Sequence, residues 1–136
     1  PEEKMPKTTE EYTALYEASK AVTTSPLDQK NVAKDIERGK KMYEHTCSAC
    51  HGLNGDGQGP IVQSGAYSGV PAYKDRAITV GTIHYVITNG RNLMGSYAGQ
   101  LTPADRWRVS MYIMSAFKAP EAAPAPAAST TETNTK

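Results

Sequence analysis

Two cysteines and a histidine lie close together in the run Cys47-Ser48-Ala49-Cys50-His51. This spacing suits the attachment of a c-type haem, because two thiols one helical turn apart can each add to one of the haem vinyl groups. The histidine directly after the second thiol then lies beneath the iron, where it can serve as an axial ligand. The run therefore predicts one covalent haem c, attached through Cys47 and Cys50 and ligated by His51.

Three other uses of these cysteines compete with that interpretation. A disulfide across two residues closes a small, strained ring and is usually redox-active rather than structural. A zinc site needs further soft ligands, but the chain has no other cysteine, and His45 and His84 are poorly placed. A thioredoxin-type pair follows a strand in a βαβ pattern, which is not visible here. Haem attachment is therefore the favoured interpretation.

A six-coordinate haem needs a second axial ligand on the face opposite His51. The candidates are the other histidines and all the methionines: Met5, Met42, Met94, Met111, Met114, His45 and His84. Met42 and His45 come directly before the haem attachment turn, residues 47–51, and cannot reach the haem face opposite His51. Met5 lies in a polar arm. Met111 and Met114 lie on an apolar helical face, where methionine usually fills the core.

Met94 is the favoured second ligand. It lies in a predicted loop, far enough after His51 for the chain to wrap around the haem edge. His84 falls on a predicted helix and remains the alternative ligand. A His/Met pair raises the reduction potential relative to two histidines and closes the iron to substrates. We therefore expect an electron-transfer protein, not an enzyme in its own right.

Other residues are candidates for contacts around the haem. A metal-bound histidine usually donates its second ring N–H to a carbonyl or carboxylate, and the carbonyl of Pro60 is a candidate acceptor for His51. A simple loop-stopping role for Pro60 is the competing interpretation. The side chains that could bind the haem propionates are Arg76, Tyr67, Tyr73, Arg91 and Trp107.

Composition limits the alternatives. The chain has 136 residues and a formal net charge of +1, so nothing calls for a nucleic acid partner. Mean hydropathy is −0.55, and no apolar run approaches the ~20 residues that span a bilayer. The chain begins at Pro1 rather than methionine, which indicates a processed chain and leaves open a lipid anchor lost with a signal peptide.

The chain is expected to be all-α, with three parts. Residues 1–30 form a charged arm containing a short helix capped by Thr8 and Glu11, which lies on the domain or on a partner. Residues 31–118 form the domain, and residues 119–136 form an Ala/Pro/Thr-rich flexible tail. The domain is predicted to contain a helix from Asn31 into Cys47, a loop over 52–60, irregular chain over 61–78, a helix from Thr79 to Gly90 and a helix from Thr102.

These features resemble a class I monohaem cytochrome c. The resemblance rests on Gly39 and Tyr43 before the cysteine run, Pro60 after the loop, Met94, and a C-terminal aromatic helix. It implies three to four helices around one haem, with the first and last helices crossing at Gly39 against Tyr112 or Trp107. Tyr97 matches the aromatic residue usual near the haem in this family, whereas Gly95 replaces the proline that often follows the methionine.

Longer runs resemble the monohaem cytochrome c subunit of bacterial alternative complex III, a membrane quinol oxidoreductase. The runs are residues 50–60, 84–97 and 103–107. The resemblance implies a periplasmic subunit, bound to the inner membrane through partners or a lipid anchor. It would take electrons from a multihaem cytochrome and pass them to a terminal oxidase or a soluble carrier. The alternatives are a free periplasmic carrier, a haem enzyme or sensor with an open distal site, and a zinc-structured interaction module.

Overall fold

The computed structural model describes residues 6–65, 70, 72–73, 77–91 and 94–118. These residues form six α-helices and no β-strand, apart from an isolated bridge between Arg91 and Met94. The helices are α1 (Thr9–Ser19), α2 (Val32–Met42), α3 (Ser48–His51), α4 (Pro60–Gln63), α5 (Val80–Asn89) and α6 (Pro103–Phe117). None of the described helices is both long and apolar enough to cross a membrane.

Side-chain caps start α1, α5 and α6 where the sequence predicts, whereas α2 and α4 begin without a side-chain cap. The Thr79 hydroxyl accepts the Thr82 N–H while the Thr82 hydroxyl accepts the Thr79 N–H, so α5 begins with a reciprocal capping box. Thr102 accepts the Asp105 N–H, and Pro103 occupies the first helical position of α6. Because each of these contacts spans only three residues, the helix starts are encoded locally.

The attachment turn continues α2 without a break. A π-helical turn over Tyr43–Cys47 joins α2 to α3, and α3 ends at Gly52, whose φ is 84°. An L-residue with a side chain rarely adopts this left-handed conformation, so Gly52 allows the chain to leave the helix directly after His51. The predicted helix from Asn31 through Cys47 is therefore confirmed.

Two local details differ from expectation. Residues 61–78 are not wholly irregular, because Pro60–Gln63 form the short helix α4. At α1, Thr8 accepts the Glu11 N–H, but the Glu11 carboxylate accepts the Lys7 N–H at 2.6 Å instead of the Thr8 N–H. Only half of the predicted capping box therefore forms, because the carboxylate reaches one residue further back.

Helices α2 and α6 cross at a glycine. A Cβ at Gly39 would lie only 2.1 Å from the Arg108 carbonyl oxygen, so only glycine permits this separation of the two backbones. Tyr112 of α6 packs beside Tyr43, with ring centroids 5.5 Å apart. Of the two aromatic residues expected near the crossing, Tyr112 lies there, whereas Trp107 stacks on His84 of α5.

A charged cluster joins the same two helices. Arg108 donates to Asp35 at 2.8 Å and also to Asp105, and Arg38 donates to Asp105 at 2.9 Å. Asp35 and Asp105 are buried, so each carboxylate needs its arginine partners to replace lost hydration. The hydrogen bond from Arg38, followed by that from Arg108, holds the pKa of Asp105 below its ordinary value against the opposing effect of burial.

We expect Asp105→Asn to weaken the folded state in a pH-dependent way. The pKa of Asp105 is depressed in the native protein, so its stabilising contribution is present above the unfolded pKa of about 3.9 and is lost as pH falls through the lower native value. The free energy of unfolding of the variant should be about 1 kcal/mol lower than that of the wild type at pH 7. Urea unfolding at pH 7 and in strong acid measures this loss, which should shrink in acid. An equal loss at both pH values would contradict the ion-pair explanation.

Candidate haem site

The two cysteine thiols lie on adjoining helical turns and are both free. Cys47 packs against the core cluster of buried residues, which are Tyr43, Tyr73, Ile83, Ile87, Val109 and Ile113. Burial raises the pKa of the Cys47 thiol to about 12. A reactive thioredoxin-type pair instead needs a thiolate with a lowered pKa. Within the part of the chain that the structure describes, no three His, Cys, Asp or Glu side chains are grouped to hold a metal ion such as zinc.

The His51 side chain has the properties of a ligand. Burial lowers the pKa of its imidazole to about 4, so the ring is neutral at physiological pH and keeps a free electron pair for a metal. Its Nδ1 is buried and has no hydrogen-bond partner among the described residues. The ring stacks on Tyr73, with centroids 4.9 Å apart and planes 17° apart.

The expected hydrogen bond between His51 and Pro60 does not form in this structure. The Pro60 carbonyl accepts the Ser64 N–H at 3.0 Å, because Pro60 begins α4 and its carbonyl enters the helical bonding pattern. Pro60 nevertheless follows a loop that lies against the attachment turn. The Gly59 N–H donates to the Cys50 carbonyl, and a Cβ at Gly59 would lie 2.2 Å from the Ala49 carbonyl oxygen.

Met94 lies on a short segment that is fixed by backbone hydrogen bonds. Arg91 and Met94 each donate an N–H to the carbonyl of the other, both at 2.9 Å. Gly90, with φ of 79°, lets the chain turn out of α5 immediately before this pair. The Met94 side chain is half-buried and packs against the same core cluster as Cys47. The fold therefore brings the attachment turn and Met94 to one hydrophobic cluster.

The alternative ligand His84 has a different neighbour. It lies on α5, as predicted, and its ring stacks in parallel on Trp107 with centroids 3.8 Å apart. Burial, with a smaller effect from the positive charge of Arg106, lowers the pKa of His84 to about 4. Trp107 is therefore an aromatic partner of His84 in this structure.

The remaining candidates fall into three groups. Met111 is buried, Met42 and Met114 pack on the core, and His45 is exposed. Tyr97 is half-buried on the core, while the guanidinium of Arg91 lies over the ring of Tyr16. Met5, Tyr67 and Arg76 lie outside the described residues.

The sequence did not indicate the aromatic contacts beside His51. Tyr73 stacks on His51 and also on Phe117, where the centroids are 5.5 Å apart and the planes 10° apart. The sequence predicts Tyr73 only as a candidate partner of the haem propionates. Its aromatic character was visible, but a single tyrosine in irregular chain carries no periodic signal that places it against His51.

These residues fit a covalent haem c. Two free thiols lie on consecutive turns, a neutral imidazole follows them, and that imidazole has a buried nitrogen without a partner among the described residues. When bound, the haem supplies an iron centre that gains and loses one electron. A helical fold with this attachment turn defines a c-type cytochrome.

The comparisons with known proteins agree with this class. Residues 34–113 match the family described as cytochrome c oxidase, cbb3-type, subunit III, and the chain belongs to this family of class I cytochromes c. Cytochrome c6 of Bumilleriopsis filiformis is 30% identical over 81 residues, covering 60% of this chain and 91% of that protein. Cytochrome c6 of Porphyra purpurea is 26% identical over 90 residues, covering 61% of this chain and 73% of that protein.

A solved structure is also similar. A chain of the reducing HAO-like protein complex of Kuenenia stuttgartiensis superposes with a TM-score of 0.54 and 25% identity. The match covers 70% of this chain and 47% of that one, so this protein spans about half of that chain's length. The class I cytochrome c fold, one covalent haem c and electron transfer of the cytochrome c type follow for this protein.

We expect Cys50→Ala and Cys47→Ala to reduce covalent haem attachment, since each removes one of the two thiols that can form a thioether bond. Mass spectrometry of the protein after denaturation and acid extraction of free haem measures the attached mass. Ser48→Ala is the matched control, because Ser48 lies between the two thiols in sequence and its hydroxyl donates to the Glu44 carbonyl. Normal yield of covalent haem from the double Cys47→Ala, Cys50→Ala variant would contradict the assignment.

Proposed function

We propose that this protein is an electron relay whose haem iron is ligated by His51 and Met94. The observation that carries the proposal is that Met94 lies on a fixed segment against the same core cluster as Cys47. Methionine on a loop held in this way is a suitable distal ligand, because its thioether can be presented without unfolding a helix. His84, by contrast, lies within a helix and against Trp107.

Each residue has a defined task in this proposal. Cys47 and Cys50 tether the haem, and the neutral ring of His51 offers a nitrogen to the iron. Met94 would offer its thioether to the iron, which would stabilise the ferrous state and raise the potential. With His51 and Met94 both bound, the haem would supply one-electron transfer and would have no open position for a substrate. Arg76 and Tyr97 remain proposed contacts around the haem, and Pro60 is proposed to end the loop beside the attachment turn. Residues 31–118 are the proposed haem domain.

We further propose that the relay is a subunit of a membrane quinol-oxidising complex of the alternative complex III type. The resemblance of residues 50–60 and 84–97 to that subunit supports it. The matched family is itself described as a subunit of an oxidase, and the similar solved structure is part of a protein complex. In this role the protein lies on the periplasmic side of the inner membrane, held by partners or a lipid anchor. It receives electrons from a multihaem cytochrome and passes them to a terminal oxidase or soluble carrier.

A free periplasmic carrier is the second candidate. The match to cytochrome c6 supports this candidate. It covers 91% of the length of that protein, whose name describes a cytochrome and not a subunit of a complex. The two candidates differ in what accompanies the protein in the cell, and the haem chemistry is the same for both.

Affinity purification from membranes solubilised in mild detergent separates the two candidates. The tagged full chain should co-purify with a multihaem cytochrome and integral-membrane subunits in fixed proportion, and the isolated assembly should reduce this haem when quinol is added. Recovery of the tagged protein alone from the soluble periplasmic fraction would overturn complex membership and favour the free carrier.

A further inference from the structure

The N-terminal helix α1 lies on α5 through tyrosine side chains. Tyr12 and Tyr16 both meet Tyr85 edge-on, with centroids 5.0 and 6.1 Å away. The Tyr85 hydroxyl donates to the Tyr12 carbonyl at 2.8 Å. Further along the arm, the Gly81 N–H donates to the Val22 carbonyl at 2.9 Å. The arm is therefore attached to the domain at several points, although α1 contains no fully buried residue.

The same helix also reaches the segment that carries Met94. The Tyr12 hydroxyl donates to the Gly90 carbonyl at 2.5 Å, although the two residues lie far apart in the chain. The Arg91 guanidinium lies 4.3 Å from the centroid of the Tyr16 ring, within the range of a cation–π contact. Two consecutive residues of the segment, Gly90 and Arg91, are thus contacted from α1.

These contacts connect to Met94 through the backbone. Gly90 precedes Arg91, and Arg91 is joined to Met94 by their reciprocal pair of backbone hydrogen bonds. On the other side of Met94, the Ser96 hydroxyl donates to the Thr88 carbonyl and the Tyr97 N–H donates to the Ile87 carbonyl. The segment is therefore held by α5 after Met94 and by α1 before it.

We propose that Tyr12 is a positioning residue for the distal haem ligand: through Gly90 it holds the Met94 segment and slows the departure of Met94 from the iron. This inference rests on the proposed His51/Met94 ligation. The arm thereby acts on the distal ligand through the Gly90 backbone. Helix α1 therefore influences how firmly the distal ligand Met94 is bound to the iron.

The test is the rate at which imidazole binds to the ferric holoprotein. Imidazole can bind only after Met94 leaves the iron, so its limiting rate at high concentration measures that departure. We expect Tyr12→Phe to raise this rate about fivefold, the factor associated with one ordinary hydrogen bond. Tyr16→Phe is the matched control, because it removes a hydroxyl from the same helix but keeps the ring under Arg91, and it should leave the rate unchanged.

The outcomes separate this inference from the proposed function. Methionine bound to ferric haem gives a weak far-red sulfur-to-iron absorption band. If this band is present and imidazole binds to Tyr12→Phe and Tyr16→Phe at equal rates, the role of Tyr12 is overturned and Met94 remains the ligand. Absence of that band from the wild-type ferric protein would overturn the ligation itself and this inference with it. Circular dichroism of both variants establishes that a change in rate does not reflect loss of the helical fold.

Discussion

Replacing Met94 by alanine is expected to lower the reduction potential of the haem and to open the iron to external ligands. Alanine cannot coordinate, so the ferrous state loses the thioether that stabilises it. Axial ligands act over a range of ~0.8 V in haem proteins, and we expect a fall on the order of 0.1 V here. Covalent haem content should stay normal, because Cys47 and Cys50 are unchanged. Spectroelectrochemical titration of the purified variant measures the shift.

Met114→Ala is the matched control for this prediction. Met114 is half-buried and packs on the same core cluster, so the substitution removes a similar thioether side chain from a similar environment. It should cost some stability but leave the potential and the absorption spectrum close to wild type. An unchanged spectrum in Met94→Ala would instead direct the search to His84 or to another methionine.

Gly39→Ala should strongly destabilise the fold despite adding a better helix former. In the interior of a helix, alanine stabilises the helical state by about 1 kcal/mol relative to glycine. At Gly39, however, the new Cβ would lie 2.1 Å from the Arg108 carbonyl oxygen and 2.6 Å from its carbon, and neither backbone atom can rotate away. Helices α2 and α6 would have to separate, so we expect a net loss of about 2 kcal/mol or more.

The measurement is urea unfolding of the holoprotein, followed by helical circular dichroism. Gly99→Ala serves as the control, because a Cβ there meets nothing within 4 Å. It should leave the unfolding midpoint almost unchanged. A Gly39→Ala protein at least as stable as wild type would show that the helix crossing is looser than this structure indicates.

Local signals account for the features that the sequence predicted well. The starts of α5 and α6 follow from Thr79 and Thr102, whose side chains bond backbone groups only three residues away. The attachment turn likewise depends on the short spacing of Cys47, Cys50 and His51. Gly39 was expected at the crossing from family resemblance, and its close approach to Arg108 agrees with that expectation.

Features that depend on distant contacts were not predictable in the same way. Helix α4 begins after Gly59, whose position depends on close approach to the Ala49 backbone. Within α4 the Pro60 carbonyl accepts the Ser64 N–H, whereas the sequence predicts it as an acceptor for His51. The sequence predicted a short capped helix in the N-terminal arm, which contains Tyr12 and Tyr16. It carried no signal that these side chains would meet Tyr85, Gly90 and Arg91, because those pairings are set by how the chain folds back.

The most direct test of the central claim is the exposure of native ferrous protein to carbon monoxide, followed by visible absorption. If His51 and Met94 both bind the iron, the absorption spectrum of the ferrous protein should be nearly the same with and without carbon monoxide, since carbon monoxide must displace a strong ligand. Rapid and complete formation of a carbon monoxide complex would contradict the account, because it would show an open distal position suited to a haem enzyme or gas sensor.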